Sequence, residues 1–111
     1  MNSIFGKLFG SSASLSMQEI YDLVHRDGAI LLDVRTEDEY RKGKVGNSIN
    51  IPINDLEIRL SELPKDRPLI VYCASGGRST IACQLLKEKG FDKIYNAKVW
   101  EEVSAALDRR K

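Results

Sequence analysis

The sequence predicts a three-layer α/β domain, a mainly parallel central sheet with helices on both faces. Three observations carry this expectation. Continuous apolar runs of strand length, Ala29 to Val34 and Leu69 to Tyr72, are bounded by turn residues, the pattern of strands buried on both faces. Stretches with apolar residues at helical spacing alternate with these runs, which builds βα units with parallel strands. The chain of 111 residues, 42% hydrophobic and 30% charged, is long enough for a single core and ordinary in composition.

Taken in order, residues Met1 to Ser14 read as an arm. Ile4, Phe5, Leu8 and Phe9 make a short apolar stripe beside Lys7, and Gly10-Ser11-Ser12 ends it. The run is too short and broken for a signal-peptide core or a membrane span. It reads either as a loosely packed terminus or as a small amphipathic helix that docks on the domain, a partner or a membrane surface. The folded domain is expected from 15 to 107, with a charged tail from 108 to 111.

Leu15 is expected to open the domain as a short strand. Ser16 with Glu19 three residues on is a capping box, so a helix starts there, with Ile20, Leu23 and Val24 on its apolar face and Asp27-Gly28 at its end. The strand Ala29 to Val34 follows. Thr36 with Glu39 is a second capping box opening a short helix through Lys42, and Arg35 can pair with Glu39 there, although a solvated face is the plainer reading of such charges. Gly43 to Asn47 is loop and Ser48 to Ile51 a short strand closed by Pro52. Asn54 or Asp55 caps a helix in which Leu56, Leu60 and Leu63 recur at helical spacing. After the turn Pro64 to Pro68 and the strand Leu69 to Tyr72, Ser79 to Lys89 is helical, with Ile81, Ala82, Leu85 and Leu86 apolar and Gly90 as its stop. Lys93 to Asn96 is a strand, and Trp100 to Leu107 a last helix.

The chain is organised around Val71-Tyr72-Cys73-Ala74-Ser75-Gly76-Gly77-Arg78-Ser79: strand, glycine-containing loop, helix. Such a loop turns backbone N–H groups inward, and the start of the next helix adds partial positive charge. Both favour a thiolate, so Cys73 is expected to have a lowered pKa and to be the nucleophile. Arg78 offers a fixed cation and a bidentate fork for an anion. The plainer alternative, a small core cysteine, leaves the Gly-Gly-Arg-Ser behind it without a purpose. In open parallel sheets ligands bind beyond the carboxyl ends of strands, where Cys73 stands.

Composition narrows the field further. A net charge of +1 gives no reason to expect a nucleic-acid partner. Two cysteines and one histidine form no disulfide framework and no zinc site. Two thiols without a scaffold role fit a reducing cytoplasm. His25 reads as a partly exposed surface residue of the first helix, with a Cys-His dyad the alternative, and Cys83 as a small buried side chain, with a resolving thiol the alternative that its helical position restricts.

Leu31-Leu32-Asp33-Val34-Arg35, Glu39-Tyr40, Ile49-Asn50-Ile51-Pro52, Val71-Tyr72-Cys73 through Gly76-Gly77-Arg78-Ser79, and Leu86 with Gly90-Phe91 together resemble the rhodanese-like domain, in order and spacing, from about Leu15 to Leu107. The resemblance implies a single-domain sulfurtransferase. Cys73 would take a sulfane sulfur from a small anionic donor such as thiosulfate, hold it as a persulfide, and pass it to cyanide, a thiol or a protein. The backbone N–H groups of Ala74, Ser75, Gly76, Gly77, Arg78 and Ser79 would stabilise the persulfide anion, and Arg78 would hold the anionic part of the donor. No metal or organic cofactor is implied. Asp33 and Arg35 would brace the strand end.

Two segments depart from the family pattern. Lys44 and Gly46 stand where the family usually has His and Pro, which makes that loop looser and more basic. Ala97-Lys98-Val99 replaces the usual Gly-Gly pair after Asn96, altering a loop expected to border the Cys73 pocket, where valine suits a positive φ poorly. Two other function classes remain. A cysteine phosphatase or arsenate reductase resembles Cys-x5-Arg, a loop that surrounds a phosphate, whereas Cys73 to Arg78 is one residue shorter. A non-catalytic binding or regulatory module is the other, since fold alone does not decide function.

Overall fold

The computed structural model describes residues 15–108; the expected arm, 1–14, and the last three residues of the expected tail lie outside them. Four strands, β1 (Ile30–Asp33), β2 (Ile49–Asn50), β3 (Leu69–Cys73) and β4 (Ile94–Val99), form one parallel sheet in the order β2-β1-β3-β4. The α-helices are α1 (Met17–His25), α2 (Glu37–Lys42), α3 (Gly77–Glu88) and α4 (Trp100–Leu107).

The sheet separates two cores. Leu32, Val34, Ile51, Leu56, Val71, Ala82 and Leu86 pack on the α3 side. Ile20, Leu23, Leu31, Ile70, Tyr72 and Val103 pack on the side of α1 and α4. Successive strand residues point to opposite faces. Leu31 and Leu32, or Tyr72 and Cys73, therefore enter different cores, and both strands read as unbroken apolar runs. The three-layer α/β architecture agrees with the sequence pattern.

Both capping boxes form with both of their reciprocal hydrogen bonds, Ser16 with Glu19 and Thr36 with Glu39. Other local expectations are corrected. Leu15 is buried but is not a strand. The segment from Ile53 to Glu62 is not an α-helix capped by Asn54 or Asp55. It is two 3-10 segments, Ile53–Asp55 and Glu57–Glu62, with Arg59 out of helical conformation and Pro52 leading in without a side-chain cap. With prolines at 52 and 64 the segment is too short to propagate an α-helix, yet it still buries Leu56 and Leu63. Ile81 is 59% exposed. Helix α3 buries Ser79, Ala82, Cys83 and Leu86, and at 3.6 residues per turn Ile81 lies roughly 200° around from Ser79. Strand β4 runs on to Val99 with an irregular register opposite Val71 and Tyr72. Among the described residues no helix is long and apolar enough to cross a membrane.

Candidate active site

Cys73 is the last residue of β3, beside Val99 of β4. The chain then bends through Ala74 and Ser75 to Gly76, whose φ of +107° is the left-handed conformation open to glycine. This turn aims the Gly76 N–H at Cys73 Sγ, 3.0 Å away, while the Ser79 N–H reaches the same sulfur at 3.4 Å. Helix α3 has no side-chain cap from Gly76 itself. The sulfur of Cys73 takes the place of a capping oxygen and accepts from amides that a helix start leaves unpaired.

The residue is 1% exposed. Burial pushes the thiol pKa up, but the backbone N–H groups of Ser79, Gly76 and Ser75 outweigh it and hold the thiol below its ordinary value. The expected depression is present, and its main cause is backbone amides. Cys83, buried in the same core, has no such donors, and burial pushes it up to about 12.

Arg78 is differently placed from the expectation of a free anion fork. Its two terminal nitrogens donate to the two oxygens of Glu39 at 2.7 and 3.1 Å. Arg78 and the N–H and hydroxyl of Thr36 draw the Glu39 carboxyl down to about 2. Arg35 does not pair with Glu39. It forms a buried fork with Asp33, donates to the Gly43 carbonyl at 2.6 Å, and lies over the Trp100 ring, 4.4 Å from its centroid. A side-chain carbon on Gly43 would meet Trp100 at 3.0 Å, so glycine admits the ring. Asn50 Nδ2 adds bonds to the carbonyls of Asp33 and Arg35. The bracing expected of Asp33 and Arg35 is thus present.

Ala74, Ser75 and Gly77 are exposed on the rim, and Ser79 is buried beneath it. Sequence reasoning missed Asn96. Its Oδ1 accepts from the Ser79 hydroxyl at 2.8 Å and from the Lys98 N–H at 3.1 Å, and its Nδ2 donates to Thr80 Oγ1, which donates to the Gly76 carbonyl. This chain ties β4 to the cysteine loop. The positive φ at the altered loop falls on Lys98, at +71°, while Val99 keeps an extended conformation. The stem of Lys98 lies on the loop: a side-chain carbon at Gly76 would stand 3.4 Å from Lys98 Cβ. Lys44 sits with its ammonium 5.0 Å from the Tyr40 ring centroid. His25 is exposed at the end of α1 against Tyr21.

A family model described as the rhodanese-like domain matches residues 16–99. A sulfurtransferase of Allochromatium vinosum is 36% identical over 85 residues, 77% of this chain and 76% of that protein. Thiosulfate sulfurtransferase GlpE of Coxiella burnetii is 29% identical over 82 residues, 74% of this chain and 77% of that one. Other relatives are longer: the chain spans 47% of one from Bacillus subtilis. Among solved structures, the human single-domain sulfurtransferase TSTD1 superposes with a TM-score of 0.72 at 26% identity, covering 91% of this chain and all of that one.

Proposed function

The chain belongs to the rhodanese-like domain family, and on that premise we propose that it is a sulfurtransferase of the thiosulfate type that carries sulfane sulfur as a persulfide on Cys73. One observation carries the proposal: a recessed sulfur at a strand end that accepts two backbone hydrogen bonds and is acidified by them. The Cys73 thiolate attacks the outer sulfur of thiosulfate, an S–S bond forms, the bond to the sulfonate sulfur breaks, and sulfite leaves with the electron pair. The persulfide anion then gives its outer sulfur to cyanide, a thiol or a protein, and the thiolate returns. The same N–H groups that hold the thiolate serve the persulfide, and Ala74, Ser75 and Gly77 line its approach. Ping-pong kinetics follow from the covalent intermediate. The two free thiols fit a reducing compartment such as the cytoplasm.

A phosphatase is poorly supported, because the loop amides of Gly76 and Ser79 are spent on the sulfur and Arg78 on Glu39, leaving few donors for a phosphate. The engagement of Arg78 instead favours, as the second reading, a non-catalytic binding module. Intact mass separates the two. Addition of one sulfur on incubation with thiosulfate, absent in Cys73→Ser and removed by cyanide, is expected of the carrier. A folded protein that gains no sulfur from thiosulfate or from a persulfide donor is the binding module.

A further inference from the structure

We propose that Lys98 is the residue that meets the negative charge of the sulfur donor, the part that sequence pattern gives to Arg78. This deepens the assignment of Cys73 as sulfur acceptor and rests on it.

The charges near the cysteine loop are largely spent on one another. Arg78 is held by both oxygens of Glu39, and Arg35 is buried against Asp33. Among the described residues Lys98 has no ion pair, and it stands on the loop itself. Its stem lies along Gly76, whose N–H is bound to the Cys73 sulfur. Its own N–H is fixed by Asn96, which also takes the Ser79 hydroxyl. Its backbone adopts φ +71°, a conformation that disfavours any residue with a Cβ and that glycine takes freely. A strained non-glycine residue at the rim of a reactive group is a reason to look for a function of its side chain. The function that fits is electrostatic. A donor whose outer sulfur reaches Sγ trails its anionic end toward the rim, within the swing of a flexible ammonium. The donor class is therefore a dianion or an anionic-tailed persulfide, recognised by point charge rather than by a planar fork.

Anion binding can be measured without turnover, in protein carrying Cys73→Ser. Thiosulfate titrated into this background should bind about fivefold to tenfold more weakly when Lys98→Gln is added, the loss should be restored by Lys98→Arg, and the salt dependence of binding should flatten with the glutamine. An unchanged dissociation constant in the Lys98→Gln background overturns the proposal, as does a loss that arginine fails to restore, which would mark a purely structural role. Sulfur loading of the wild-type chain, measured separately by mass, tests Cys73 itself, so failure of the parent reading and failure of Lys98 give different results.

Discussion

The Glu39 carboxylate and the Arg78 guanidinium meet fork to fork, 2.7 and 3.1 Å apart, and join the first turn of α2 to the first turn of α3. Each side chain is about one-third exposed, at 37% and 33%, so the pair is worth about 1 kcal/mol or less in stability. Its larger effect is on the availability of Arg78. Glu39→Gln keeps the oxygen that serves the Thr36 cap but removes the charge and the second acceptor that hold the guanidinium, which loosens Arg78, and kcat/KM for thiosulfate is expected to rise roughly threefold in steady-state assays.

The same pair sets a pH dependence. The folded-state carboxyl titrates at about 2, below its ordinary value of 4.5. A depressed acid contributes stability that is complete above the unfolded value and disappears as pH falls through the folded one. The difference in melting temperature between wild type and Glu39→Gln is expected to be full at neutral pH, to shrink below about pH 4.5, and to be gone near pH 2. Thermal melts across that range measure it.

Cys73 and Cys83 share one core but differ in partners, so they should differ in chemistry. Under native conditions near pH 7.5, iodoacetamide is expected to label Cys73 alone, with a rate that rises through a pKa below that of a free thiol, and both residues in denaturant. Peptide mapping gives the site and the rate profile gives the pKa. Equal native labelling of Cys83 would contradict the assigned environments.

Asn96 holds the cysteine loop to β4 through Ser79 and Lys98. Asn96→Ala removes one acceptor from two donors and should cost about 1–3 kcal/mol. Asn96→Asp keeps the acceptor and adds a negative charge beside Ser79, so its main effect should be a raised Cys73 pKa. Denaturant melts and alkylation profiles of the two variants separate scaffold from electrostatics.

What the sequence made legible was local. The boxes at Ser16 and Thr36 span four residues each, and the strand ending in Cys73 is a continuous run whose loop chemistry follows at once. What it hid was long-range. Nothing in the neighbourhood of Arg78 reveals a carboxylate 39 residues earlier in the chain, and Asn96 acquires its meaning only when β4 lies beside β3. Leu56, Leu60 and Leu63 keep helical spacing although only Leu60 lies within a 3-10 segment and the other two flank the second one, because burial of leucines, not helix period, is what that connection needs. At the altered loop the strain was legible to within a residue: of the pair Lys98 and Val99, Lys98 takes it.

Lys98→Gly should relieve that strain. The left-handed conformation costs a non-glycine residue roughly 1–2 kcal/mol, part of which returns as added freedom of the unfolded chain, so a net gain of about 0.5–1 kcal/mol is expected in denaturant melts. A loss instead would show that stem packing on Gly76 outweighs backbone strain.

Asp33→Asn leaves Arg35 charged in a site where its side chain is 4% exposed and its partner 0%. Removing one member of a buried pair typically costs about 3–5 kcal/mol, a large part of the stability of a domain this size. The variant is expected to unfold at much lower urea, with Trp100 fluorescence, sensitive to the guanidinium above its ring, reporting the change.

Helix α2 has six residues and buries none of them. It should therefore be among the cheaper parts of the domain to open, since a short helix held by half-buried Tyr40, bonded to Ser48, and by the Glu39 pair draws little on the core. Each such opening takes the Glu39 end of the clasp away and leaves the guanidinium of Arg78 unoccupied for as long as the segment stays open. The cationic character of the cysteine rim is then a population, fixed by the local unfolding equilibrium of residues 37–42, and amide exchange in that segment would report how often the second charge is presented.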